Sequence, residues 1–533
     1  MKKIFTFLIL VSMPFMLLAS SDMTGQTVTV DLQQQMNEAG SSDLLRINIR
    51  LNEQYDLEAF AHLRQTMSRE QRRQFVVNEL KAFSAQSQQS LLEELSTLQL
   101  SGEVTAITPL WIANVINLYA TPSAIEQLAY RNDIARIDHD EERIVIDPID
   151  VQDVTEVQIR EITYNVSIMN VPEVWDMGFF GDDVVVAVLD TGVNYNHNDL
   201  VNNMWTHPDY PNHGWDFTSN NNDPMDLHGH GTHCAGTVAG DGSSGSQTGM
   251  APNAKIMALQ VLTASGGGTE SGVWQAIEFS VEHGAHIMSL SLGWAHAWGP
   301  DRASWRTTMD NALAAGVIAS VAAGNEGNQQ SQFPIPSNVR TPGDCPAPWR
   351  HPDQPDTGTR SAVVTVGATD QSDQIAGFSS RGPVTWQNIS PYNDYEYNPG
   401  QGLILPDVVA PGVNVKSLSH TNTSGYTTMS GTSMAAPGVA GVMALILSKN
   451  PGITPEEMSQ ILEETALPLS SNKSNTFGSG RVDALQAIDA TAFPGPVYSH
   501  HTINDETGNN NGQINPGEFI QVHLALDSTL KMI

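Results

Sequence analysis

Val184-Val185-Val186-Ala187-Val188-Leu189-Asp190 is a run of six apolar residues that ends on an acid. A strand with one wet face alternates, whereas a strand apolar throughout is covered on both faces, as in a parallel sheet between helices. Comparable runs recur at 255–262, 287–292, 317–322 and 362–366, with helical stretches such as 273–283 and 305–315 between them. The alternation predicts an α/β fold over residues 160–490, a parallel sheet flanked by helices. Asp190 then falls at the carboxyl edge of the sheet, where open α/β folds place their sites.

The flanking regions differ in character. Residues 28–150 show strand alternation at 44–51 and helical spacing in a Gln- and Glu-rich stretch at 56–98. Strand-like residues follow at 104–120, a short helix at 123–130 and a closing strand at 134–137. This predicts a small α+β unit without catalytic residues. Ahead of it, residues 1–21 carry Lys2 and Lys3, an apolar run at 4–19 and then Ser20-Ser21, the pattern of a secretory signal peptide. The run is short for a membrane span and contains Pro14, so the protein is expected to be exported, with no membrane partner once the signal is removed. A Pro-rich polar insertion at 328–360 interrupts the α/β pattern, and strand alternation at 519–526 reads as the opening of a β-sandwich in a segment from 495 to 533.

Composition narrows the function. The 533-residue chain holds 58 acidic against 25 basic residues, a formal net charge of -33. Such a field repels nucleic acid and anionic membrane surfaces. With only Cys234 and Cys345, a disulfide-stapled scaffold and a cysteine metal cluster are excluded.

Hydrolysis of an amide by serine needs a hydroxyl, a base, a group that orients the base, and donors for the oxyanion. The α/β region offers one candidate for each. Asp190 opens Asp-Thr-Gly after the buried run, and His230 opens His-Gly-Thr-His-Cys-Ala-Gly. Ser433 lies in Gly-Thr-Ser-Met-Ala-Ala-Pro before an apolar helix, so its place at a helix N-terminus favours developing negative charge. Asn325, in Ala-Ala-Gly-Asn-Glu-Gly, follows a strand and carries an amide donor.

In the order Asp, His, Ser, these motifs resemble the subtilases, a family of serine endopeptidases, over the whole of 160–490. The resemblance implies Asp190 as orienting group, His230 as base and then acid, Ser433 as nucleophile and Asn325 as oxyanion donor. It implies that Ser291-Leu292-Gly293 and Gly266-Gly267-Gly268 are the two walls between which a peptide adds as a strand. It also implies that 28–150 is a propeptide that assists folding and plugs the cleft. The expected partners are polypeptide substrates and this propeptide, with the protein acting as a monomer. No cofactor is needed for the chemistry. A structural calcium ion is expected at Asp199, with Asp241 in the loop 241–247 opposite. Pocket size is not carried over, because the insertion at 328–360 directly follows the Asn325 segment.

The same residues fit rival readings less well. A second Asp-Thr-Gly at 356–358 suggests a paired-aspartate protease, but no apolar strand leads into it. His228 and His233 read as a surface and a packed histidine rather than as a metal pair, and the 205–226 stretch reads as solvated polar loop, with a calcium site as the alternative. A Cys234–Cys345 disulfide stays open, as does a twelve-residue calcium loop at 507–518.

Overall fold

The computed structural model describes residues 27–494 apart from 58–59, 61–66, 147–148, 155–160 and 399, together with the strands at 497–504 and 521–527. The expected signal peptide and the candidate calcium loop at 507–518 lie outside the described residues.

The N-terminal unit runs α1 (Val30–Glu38), β1 (Leu45–Leu51), α2 (Arg69–Ser101), β2 (Val104–Leu110), β3 (Val115–Ala120), α3 (Pro122–Leu128) and β4 (Ile134–His139). Its four strands form one antiparallel sheet in the order β2-β3-β1-β4. Helix α2 starts on a capping box, in which Ser68 and Gln71 satisfy each other's backbone N–H, and stops at Gly102, whose φ of 82° suits a residue without Cβ. Leu91, Leu95 and Leu98 pack its apolar stripe against Ile47, Ile49, Ile116 and Leu118 of the sheet.

Two short strands follow, β5 (Arg143–Ile144) and β6 (Ile149–Asp153), then β7 (Glu161–Ile162), α4 (Tyr164–Ile168) and α5 (Val171–Asp176). The α/β body continues with β8 (Val185–Asp190), β9 (Gly214–Asp216), α6 (His230–Ala239), β10 (Ser246–Gln247), β11 (Lys255–Gln260), β12 (Gly267–Gly268), α7 (Glu270–Glu282), β13 (Ile287–Leu290) and α8 (Arg302–Ala314). It closes with β14 (Ile318–Ala322), β15 (Val363–Thr369), β16 (Val408–Pro411), β17 (Val415–Leu418), β18 (Tyr426–Ser430), α9 (Thr432–Lys449), α10 (Pro455–Glu464) and α11 (Ala484–Ala490). Beyond it β19 (Val497–Asn504) pairs antiparallel with β20 (Gln521–Asp527).

Seven strands make one parallel sheet in the order β16-β15-β14-β13-β8-β11-β9. Alternate residues of β8 face opposite layers, as the strand period of two demands. Val186 and Val188 join the core under α6 and α9, while Ala187 and Leu189 join the core under α7 and α8. The second core continues into the N-terminal unit through Val76, Val77, Leu80 and Ile112, so the two units share one apolar interior. Helix α9 is long and apolar enough to cross a membrane, yet 94% of it is buried as the central helix of the body.

Candidate active site

Three element ends converge on the site. Asp190 is the last residue of β8, His230 the first of α6 and Ser433 the second of α9. Helix α6 reaches β8 closely because glycine sits at 231. A Cβ there would lie 2.1 Å from the Gly192 carbonyl oxygen. The Asp190 Oδ1 atom accepts from its neighbour's Thr191 N–H and from His230 Nδ1, both at 2.7 Å. Burial alone would lower the His230 pKa, but the adjacent Asp190 carboxylate and the Cys234 sulfur outweigh it and hold the imidazole well above its ordinary value. His230 Nε2, the nitrogen that must take the nucleophile's proton, is buried with no hydrogen-bond partner.

Ser433 is 4% exposed, and its Oγ donates to the Ser291 carbonyl at 3.1 Å. The Ser291 hydroxyl donates back to the Ser433 carbonyl at 2.8 Å. Asn325 Oδ1 accepts from both the N–H and the hydroxyl of Thr432, each at 3.0 Å, which fixes the carboxamide. Its Nδ2 and the Ser433 N–H border the same spot, lying 3.4 and 3.6 Å from where a Cβ on Gly431 would be. Both donors thus lie beside the serine.

The cleft beside the triad contains this chain's own residues. β5 pairs antiparallel with β12, matching Ile144 with Gly267 and Arg143 with Gly268. Val145 N–H donates to the Gly266 carbonyl at 3.2 Å, and Gly293 N–H donates to the Val145 carbonyl at 3.3 Å. Val145 and Ile146 are buried there at 0% and 4% exposure. The glycines are needed for this approach, since Cβ atoms at 266 and 267 would come within 2.8 Å of Ile146 and 2.2 Å of Glu142. After residue 148 the chain continues as β6, paired antiparallel with β18, which ends three residues before Ser433. Of the expected wall residues, Gly266, Gly267, Gly268 and Gly293 line the strand, and Ser291 holds the nucleophile. Leu292 points instead into the core.

Asp226 is a site residue that reading the sequence missed. Its Oδ1 accepts from Thr191 Oγ1, His228 N and Gly229 N at 2.8–2.9 Å, and its Oδ2 from Thr232 N at 2.8 Å and Thr232 Oγ1 at 2.6 Å. It is 3% exposed and ties the first turn of α6 to the residue after Asp190. The acid four residues before His230 was the available signal, hidden in what looked like solvated loop. That stretch also packs Trp205 and Tyr210 against Phe279 and His283 of the α7 end.

The expected calcium site does not fit the contacts. Asp199 is fully buried, with Oδ1 accepting from Ser244 N–H at 2.6 Å and Oδ2 from the Tyr426 hydroxyl at 2.8 Å. Asp241 faces its own loop, accepting from Ser243 N–H at 2.9 Å. A calcium cage needs six to eight oxygens turned inward. Here the loop presents an N–H, and a tyrosine hydroxyl stands where a further lone pair should be. The two cysteines are separate buried thiols, so no disulfide links them. Cys234 lies 3.9 Å from His230 Nδ1, and His233 is packed, with Nε2 bonded to the Val415 carbonyl.

The sequence matches the profile of the subtilase family over residues 181–484. It is 33% identical over 339 residues to the serine protease AprX of Bacillus subtilis, covering 58% of this chain and 66% of that one. It is 33% identical over 329 residues to subtilisin Savinase of Lederbergia lenta, covering 62% of this chain and 99% of that one. Bacillopeptidase F of Bacillus subtilis is 29% identical over 447 residues, 79% of this chain but only 29% of its own length. The chain thus spans just under two thirds of AprX and less than a third of Bacillopeptidase F.

Proposed function

Because the chain belongs to the subtilase family, we propose that it is a serine endopeptidase, made as an exported zymogen that processes itself. The observation that carries this reading is the Asp190–His230 hydrogen bond of 2.7 Å, set beside a serine at a helix start that faces an asparagine donor.

In the proposed reaction a peptide adds as a strand between 266–268 and 291–293. The Ser433 hydroxyl swings from the Ser291 carbonyl to His230 Nε2 and attacks the scissile carbonyl as the imidazole takes its proton. Asp190 stabilises the imidazolium through Nδ1, and Asn325 Nδ2 with Ser433 N–H holds the oxyanion. Collapse of the tetrahedral adduct passes the proton from His230 to the leaving amine. Water, activated by the same histidine, then releases the acyl group.

The N-terminal unit is the natural first substrate and inhibitor, since the chain leaving it already lies in the cleft at 143–146. The processing cut is proposed between 146 and 149, on the segment that joins Ile146 in the cleft to β6. A fluorophosphonate probe tests the reading: mature wild type should label at Ser433 and cleave peptides. A wild type that neither labels nor cleaves would instead be a binding protein on a peptidase scaffold.

A further inference from the structure

Strands β13 and β14 are parallel neighbours, and past their ends the segments 291–293 and 323–325 lie on either side of Arg340. The gap opens directly beside Ser433 and Asn325. It is where a peptide in the cleft would place a side chain next to the cut.

Arg340, from the 328–360 insertion, enters this gap. Its N–H donates to the Ala323 carbonyl at 3.0 Å, and Thr341 exchanges hydrogen bonds of 2.9 and 2.8 Å with Trp294, so the backbone is stitched to both walls. A Cβ on Gly293 would lie 2.9 Å from Arg340 Cβ, and one on Gly324 would lie 2.9 Å from Arg340 Cγ. Glycine on each wall is what admits the arginine stem. The guanidinium is held by Glu326, which accepts from Nε at 2.9 Å and also from Nη2. Its Nη1 donates to the Val145 carbonyl at 2.9 Å and to the Gly293 carbonyl at 3.3 Å. The Val145 carbonyl, on the strand in the cleft, therefore receives one charged donor besides Gly293 N–H.

We propose that Arg340 positions the substrate and restricts its sequence. Its fork binds a main-chain carbonyl of the peptide strand, and its stem fills the gap between Gly293 and Gly324. The gap is thereby closed to large aromatic side chains, and small residues are selected before the cut. Glu326 holds the guanidinium in place while neutralising its charge, so the fork reads backbone rather than an acidic side chain. The inference rests on the peptidase reading and deepens it, naming the substrate class of the same cleft.

The test is a peptide-library profile and steady-state kinetics on the mature enzyme. Fluorophosphonate labelling of wild type and each variant confirms first that the site is intact. If wild type fails to label and cleave, the peptidase reading has failed and not this one. Given an active wild type, Arg340→Ala should raise KM for a small-residue substrate about tenfold or more, the scale of one lost bond to a charged donor, with kcat little changed. It should also gain cleavage after Phe and Tyr. Arg340→Lys fills the gap and keeps one donor, so it should retain the small-residue preference with an intermediate KM. Glu326→Gln should raise KM and leave the preference unchanged, which keeps the test open if Arg340→Ala does not fold. A wild type that cleaves after Phe as readily as after Ala overturns the proposal. So does a strong preference for Asp or Glu, or an Arg340→Ala enzyme with wild-type KM and profile.

Discussion

Asp226 gathers five donors on two carboxylate oxygens, all of them buried or at the foot of α6. Asp226→Ala leaves these donors without an acceptor, and each orphaned donor costs about 1–3 kcal/mol, less than additively. The expected loss is at least about 3 kcal/mol, measured by denaturant unfolding in a Ser433→Ala background that prevents autolysis. Ser433→Ala itself should lower turnover by about 10⁶, the scale on which a triad nucleophile acts. Asn325→Ala should cost about 10² to 10³ in kcat for the lost oxyanion donor. Near wild-type rates in either would remove the residue from the mechanism. The triad was legible because its members sit in glycine-rich motifs that the close approach of β8 and α6 requires, as Gly231 against Gly192 illustrates. Asp226 and Arg340 were not, because an acid or a cation in a polar loop carries no periodic signal. Their roles come from partners remote in the chain, 35 residues away for Thr191 and 195 for Val145.

At the scale of elements, long apolar strands and helices were read to within a few residues: α7 was expected at 273–283 and is found at Glu270–Glu282. Among the missed elements are β5, β6, β7, β9, β10 and β12, two to five residues each, which exist only through their pairing. The contacts at the expected calcium site were illegible for a related reason, since spacing shows which residues are acidic but not whether carbonyls or N–H groups turn inward. Helix α7 also carries the contact with the N-terminal unit. Ile112 N–H donates to Glu278 at 2.9 Å, and burial under that unit pushes the Glu278 pKa up to about 8, with neighbouring Glu282 adding to the effect. A carboxyl whose pKa is raised in the complex favours the protonated form there. The affinity it contributes is fully present below the ordinary carboxyl pKa of about 4.5 and declines up to about 8, by at most about tenfold per pH unit. The cleaved N-terminal unit should therefore dissociate more readily as pH rises across that window, as followed by size-exclusion chromatography. Glu278→Gln should flatten the dependence, and an unchanged slope would locate the proton elsewhere.

For the whole molecule, stability should rest on packed side chains rather than on an exchangeable ion. The melting temperature of the Ser433→Ala protein is expected to be the same in EDTA and in millimolar calcium, whereas Tyr426→Phe should lower it. That change strips Asp199 Oδ2 of its donor and Ser246 N–H of its acceptor. A fall of several degrees in EDTA would restore the cation at Asp199 or reveal one elsewhere. The α/β body was legible because a sheet buried on both faces writes long apolar runs. The docking of the two units was expected only from the resemblance, because residues such as Ile112 and Val145 carry no sign in the sequence of a partner outside their own stretch.

The pairing of β6 with β18 has one more consequence. If the chain is cut in the proposed interval, the strand that follows, β6, is still paired with β18, which ends three residues before Ser433. It stays at high effective molarity next to the acyl-serine, where its amine competes with water for the same carbonyl. In the proposed zymogen, cut and resealed forms would then interconvert until β6 peels away. On that reading, commitment to the mature enzyme would be set by the detachment of a five-residue strand rather than by bond cleavage.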